Sequence, residues 1–415
     1  MFGKASVFLV LGFSAIFMYY SARMSNFSTE SVDVYTRYYS ESIANNIANS
    51  GANIACNYIY ISPAWNAGLK NVDFWGGKLN IDVESLSKNR IRITSVGTYG
   101  TFSKTVKILL QPSNYAKFGN FYNQLSAAPA TGDTFSGPFH TNDWLNVYGD
   151  PVFLGKTTSK NGIKKWINPS NPKFLGGYES GVNIPHSWDP SKMINFASSG
   201  GKVFEGIPSR TFVDVDLTFN ADGTVTHRHR KGQTKDKWDP WGPYITEPIN
   251  TLSPNGVIFI DKGNVTMRGT VHGQVTVATS KKGGNGMGNV YIDSDIVYKD
   301  DPRTNPNSED MLGIVCEDKI EVTFDNSRGD INIHATMFAQ HDGLNIESYS
   351  SYTKINNMNI LGGLIAKDTK PTASYSGGKP TKGYRFIHKF DDRFLKTVPP
   401  YFPTTGGLEI VSWLE

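Results

Sequence analysis

The eighteen residues from Ala5 to Ala22 carry no charge, and Lys4 and Arg23 bracket them. As a helix, such a run matches the ~30 Å apolar core of a bilayer. The rest of the chain is polar and globular in composition, so one greasy helix carries a large soluble body. A removable secretory signal also pairs a positive start with an apolar run, but it needs small residues at its cleavage site. Met18-Tyr19-Tyr20 stand where those would fall. A membrane anchor and a helix that assembles with others are the readings that remain.

Helical spacing continues beyond Arg23. Tyr35, Tyr38, Tyr39, Ile43, Ile47, Ile54, Tyr58 and Ile61 recur mostly three, four or seven apart, as on one face of a helix. Ala44, Ala48, Gly51, Ala52 and Ala55 add small residues that let neighbouring backbones approach. No proline precedes Pro63, so nothing forces a break. A helix from Ala5 to Ile61 would be roughly 85 Å long, far more than a bilayer needs. Its distal half is expected to pack in a bundle of identical helices, with Asn45, Asn46, Asn49 and Asn53 lining those contacts or facing the body.

Charge narrows the function classes. Only 19% of residues are charged and the net charge is +4 over 415 residues, too weak for nucleic acid. The one dense basic cluster, His227-Arg228-His229-Arg230-Lys231, sits beside a turn. Cys56 and Cys316 are too few for a disulfide framework and are expected to be buried small hydrophobes.

The fold class expected is α+β: a long N-terminal hydrophobic helix, a small antiparallel meander, then a mostly β body. The meander is three strands between Asp73 and Gln111, with turns at Gly76-Gly77, Lys88-Asn89 and Gly97 to Gly100. From Gly137 the texture is that of a parallel, right-handed β-helix, with glycine-cornered β runs recurring at about 20 to 25 residues. Its interior ladder is Val265, Met267, Val275, Val277, Ile292, Ile296, Ile314, Ile320, Val322, Ile331, Ile333, Ile360 and Ile365. An antiparallel sandwich would need more two-residue hairpin signals than this half contains. Val213 to Phe219 and Thr224 to His229, joined at Asp222-Gly223, read as a hairpin protruding between coils, followed by Trp238 and Trp241. The divisions expected are 1–62 helix, 63–112 meander, 113–210 start of the β body, 211–250 hairpin and Trp-rich insertion, and 251–415 body with a C-terminal cap.

Chemical motifs are scarce. There is no G-x-S-x-G, H-E-x-x-H, P-loop or dinucleotide fingerprint, so no enzyme activity and no cofactor are expected. Asp293, Asp295, Asp300 and Asp301 form the one calcium candidate, without the regular ligand spacing of a dedicated loop; solvated loop carboxylates are the ordinary alternative. His227 and His229 share one strand face and suit either a metal or a basic edge that discourages strand pairing. Asp391 and Asp392 are adjacent, which points them to opposite faces of a strand and suits paired-carboxylate chemistry poorly. Trp238 and Trp241 fit a sugar, a neighbouring subunit or a buried staple.

Gly3-Lys4-Ala5, the apolar run and S-G-A-N-I-A (Ser50 to Ala55) together resemble the stalk of type IV pilin-like proteins, most of all PilX-type minor pilins. Ile91 to Leu110 resembles the first hairpin of a pilin head. Gly137 to Ser159 and the ending I-V-S-W-L-E resemble large pilin-like bacterial proteins with a β-helical body. The resemblance implies a structural subunit of an extracellular filament on the bacterial surface, self-associating through stalk helices from an inner-membrane precursor. It implies prepilin peptidase and pilus assembly machinery as partners, with the cut between Gly3 and Lys4. The family's glutamate at the fifth mature position is missing: Phe8 stands there if the cut follows Gly3, and Ala5 if Met1 is already the mature end. That departure fits a minor or tip subunit that primes assembly. A membrane-anchored protein that binds surface polysaccharide is a third reading. In place of the glutamate, Gly12, Ser14 and Ala15 form a small-residue patch, with Phe8, Phe13 and Phe17 as knobs.

Overall fold

The computed structural model describes residues 3–86, 90–376 and 379–415; the expected Lys88-Asn89 turn lies outside them. The chain divides into two compact units, Met1–Ser113 with Gly406–Glu415, and Asn114–Thr405.

The first unit begins with α1 (Gly3–Ile61), a helix of 59 residues and therefore about 88 Å. It ends where Ser62 N–H bonds the Tyr58 carbonyl, one residue before Pro63. Four antiparallel strands come next: β1 (Leu69–Phe74), β2 (Gly77–Ser85), β3 (Ile91–Tyr99) and β4 (Phe102–Asn114). The last strand of the chain, Thr404–Leu414, adds to the β4 edge. The expected three-strand meander lacks β1 and this returning strand, and the expected cap on the β body is where the chain's end does not go.

The distal part of α1 lies on this sheet. Ile47, Ala48, Ala52, Ala55 and Ile59 form one core with Leu79, Ile81, Ile93, Val106, Ile108 and Leu110. The small residues therefore admit the chain's own strands and not a neighbouring helix, which corrects the expected bundle over this stretch. A Cβ on Gly97 would stand 2.3 Å from the Ala44 carbonyl oxygen and 2.5 Å from the Ala48 nitrogen. A Cβ on Gly51 would likewise meet Leu79 Cδ1 at 2.3 Å. Helix and sheet backbones approach this closely only because both positions lack a side chain. Tyr58 and Ile61, expected on the packed face, are exposed.

In the second unit, short strands pair in parallel with the strand one turn of chain further on. The steps run from 18 residues (Phe139 to Thr157) to 56 (Lys202 to Ile258), wider than the expected spacing because loops between turns vary. All thirteen residues of the expected ladder are at most 2% exposed. Twelve line the central core; Ile365 points the other way, into a second cluster with Phe338, Val315, Phe121 and Phe402.

The order of the turns differs from the order of the chain. Asn120–Tyr122 pairs with Leu364 to Ala366 and then with Phe139–Thr141. One rung runs Val203, Phe259, Ala278, Val315, Phe338, Ile365, Phe121, His140, Thr158. The chain thus enters mid-stack, builds outward to Tyr178–Ser180, crosses to the far end at Lys202–Phe204, and returns to where it entered. Crossing nine strand spacings of ~4.8 Å takes about 43 Å, within reach of the residues 181–201. That crossing includes α2 (Pro190–Ser198), started by Pro190 and by Asp189, whose carboxylate accepts the Ser191 N–H. Met193 and Ala197 seal it onto the second cluster.

The hairpin does not protrude between turns. Its first strand, Phe212–Phe219, pairs in parallel with Gly263–Val271 over seven residues, Val213 to Phe219. Its second, Thr224–Thr234, pairs antiparallel with the first. Alternating Val213, Val215 and Leu217 are fully buried, so the strand's apolar face belongs to the common core.

Candidate functional site: the exposed face of the long helix

α1 from Ser6 to Tyr39 makes no buried face within its own unit. Eighteen large apolar or aromatic side chains between Val7 and Tyr39 are each more than half exposed, among them Phe8 at 74%, Phe13 at 58% and Phe17 at 73%. Soluble monomers rarely expose more than a few hundred Å² of contiguous apolar surface. This helix is long and apolar enough to cross a membrane, and its apolar run is unburied. Gly12, Ser14 and Ala15 lie in the apolar run and are exposed; a Cβ on Gly12 would meet nothing within 4 Å. Gly3 and Lys4, the expected processing pair, open the helix; the side chain of Lys4 lies outside the described residues.

The four aspartates go to separate partners. Asp293 pairs with Arg268 at 3.1 Å, and burial raises its pKa. Asp295 accepts the backbone N–H of Asn332 at 2.8 Å and its amide Nδ2 at 3.1 Å. Asp301 takes the Arg303 guanidinium on both oxygens, which lowers its pKa to about 2. Asp300 alone joins a group with metal-ligand geometry, with His272 and Asp310, the ligand atoms lying within 4.8 Å of one another. Asp310 is already anchored there by the backbone N–H groups of Gly273 and Asp300. Residues this distant in sequence gave no local spacing signal.

The basic cluster is not a solvated edge. Arg228 lies over Trp241 and Tyr244, and Arg230 over Trp238 and Trp241, at 4.3–5.0 Å from the ring centroids. Asp216 holds Arg228 and Arg268, and Asp214 holds Arg230. The tryptophans are staples on this ion-pair network. On the opposite face His227, 2% exposed, bonds Glu247 at 3.0 Å, and both histidines lie against the Phe204 ring. Asp391 is bridged to Arg393 at 2.7 Å. Cys316 is buried, Cys56 half-buried, and both are free thiols.

No protein-family model matches the chain, and no curated protein matches it. Among solved structures, the competence-associated pilin ComZ from Thermus thermophilus is similar over 90% of this chain and 97% of that one. The identity is 12% and the TM-score 0.38, a likeness too slight to decide fold or function.

Proposed function

We propose that the protein is a structural subunit of a type IV pilus-like filament, held in the inner membrane by α1 before assembly and in the filament core by the same helix afterwards. The second unit is read as a parallel β-helix displayed on the outside. The observation that carries this is the unburied apolar surface of α1 from Val7 to Tyr39. Each such side chain gains about 1.5–3 kcal/mol on full burial, so packing with neighbouring copies gains on the order of tens of kcal/mol gross. Chain ordering and polar desolvation offset much of that. A simple anchor needs only about 20 of these residues, whereas the exposed apolar stretch runs well past them. Shearing cells and separating surface fibres from detergent extracts tests the reading. The protein is expected in the fibre fraction; recovery solely as detergent-soluble monomer would sink it.

A tip or priming subunit is the second reading, favoured by one observation: the first acidic residue of the chain is Glu30, so no carboxylate in the apolar run can pair with a neighbour's N-terminus. Gold labelling along whole fibres supports the major subunit, and label confined to fibre ends supports the tip.

A further inference from the structure

The second unit carries a cleft of about 280 Å³ built on two adjacent rungs of its parallel strands. One rung is Asn332, Asn359 and Ile387, and the next is His334, Leu361 and Lys389. Arg303 reaches over them from the loop after Val290–Tyr298.

His334 is 5% exposed. Its Nδ1 accepts the backbone N–H of Tyr298 at 3.1 Å. Burial, helped by the Arg303 charge, lowers its pKa to about 4, so the ring is neutral at pH 7. A neutral imidazole accepts at one nitrogen and donates at the other, which puts the proton on Nε2. That nitrogen faces Arg303 Nη2 at 3.4 Å: a donor set against a donor. The carboxylates whose fields reach His334 are each taken by another partner, Asp301 by Arg303 Nε and Nη2, Asp295 by Asn332 and Asp391 by Arg393. His334 Nε2–H therefore faces the cleft with no acceptor of its own; Arg303 Nη2, which already donates to Asp301, stands beside it, and Lys389 adds an ammonium on the same rung. A buried donor without an acceptor, as His334 Nε2–H is here, is costly and uncommon.

We propose that this cleft binds the carboxylate of an acidic sugar of the hexuronate class. The carboxylate oxygens accept from His334 Nε2 and Arg303 Nη2, with Lys389 completing the charge match. The ring then lies against Ile387 and the amide wall of Asn332 and Asn359. A volume just below the ~300–1,000 Å³ of small-molecule sites suits one sugar unit. The cleft lies wholly in the second unit, so the inference stands apart from the filament reading.

The test is titration of the full-length protein in neutral detergent micelles with D-glucuronate, D-glucose and inorganic phosphate, followed by saturation-transfer NMR and calorimetry. His334→Asn keeps an acceptor for Tyr298 N–H and deletes the Nε2 donor; Lys389→Met removes an exposed charge and leaves the core untouched. Glucuronate is expected to bind, glucose to bind at least about tenfold more weakly, and each variant to lose roughly tenfold, the size of one hydrogen bond to a charged group. The proposal is overturned if glucuronate does not bind, if glucose matches it, or if Lys389→Met binds as the wild type does. It is equally overturned if phosphate competes as strongly as glucuronate, which would leave an oxyanion site with no use for the sugar.

Discussion

At the scale of single residues, two kinds of position set the stability of this chain: glycines at close contacts and histidines kept neutral. A Cβ at Gly97 would sit inside van der Waals distance of the helix backbone at Ala44 and Ala48, and backbone atoms cannot swing aside as a flexible side chain does. Gly97→Ala is therefore expected to cost about 1–3 kcal/mol, read as a lower denaturant midpoint for the first unit. His140, His186, His334 and His388 all have pKa values lowered to about 4, burial being the largest cause in each. Unfolded, they titrate near 6.5, so between 6.5 and 4 the unfolded chain binds more protons than the folded one. Their contribution is fully present above pH 6.5 and is lost as pH falls through 4. The second unit's denaturant midpoint should drop over that window; a midpoint that is flat or rises on acidification would refute this.

At the scale of elements, α1 is two helices in one. Its distal part is a partner for β2 and β3, while its proximal part has no partner inside the chain. The sequence made the existence and length of this helix legible, because periodicity and the lack of proline are local properties. It did not reveal which partner each stretch meets, since Ala44, Ala48 and Ala52 are equally suited to a neighbouring helix or to a sheet. The same limit hid the roles of Trp238 and Trp241, whose arginine partners are read only once the hairpin is folded. The division of α1 makes a clean test of assembly. Leucine is a better helix former than glycine by most of ~1 kcal/mol, and a side chain at Gly12 meets nothing in the monomer. Gly12→Leu should leave the thermal melt of both units unchanged or slightly raised. If small residues set the spacing of copies, the same substitution abolishes fibres in the sheared fraction. Normal fibres from Gly12→Leu would mean that this patch does not register neighbouring subunits.

At the scale of the whole molecule, the second unit is closed at a seam that the sequence could not disclose. Alternation and glycine corners identified the inward side chains at twelve of thirteen positions, Ile365 being buried on the other face. They carry no information about which turn stacks on which, because every turn presents the same kind of edge. Stacking in chain order would let residues 120–180 pair among themselves and then with the strands after them. In the structure they are held instead by Leu364 to Ala366, some 240 residues away, so the early turns stay open on one edge until the strand Ile355–Ala366 pairs with them. Non-local pairing of this kind slows folding. The seam is tight: Leu364 N–H bonds the Gly119 carbonyl at 2.9 Å, and a Cβ on Gly363 would lie 2.5 Å from the Phe118 carbonyl oxygen. Gly363→Val should therefore open the stack at this point, at a cost of about 1–3 kcal/mol. Hydrogen exchange followed by mass spectrometry should then show protection lost first at Asn120–Tyr122 and Phe139–Thr141, with Val257–Ile260 and Gln274–Thr279 still protected. Uniform loss across both groups, or none at Asn120–Tyr122, would show that the early turns are held by something other than this seam.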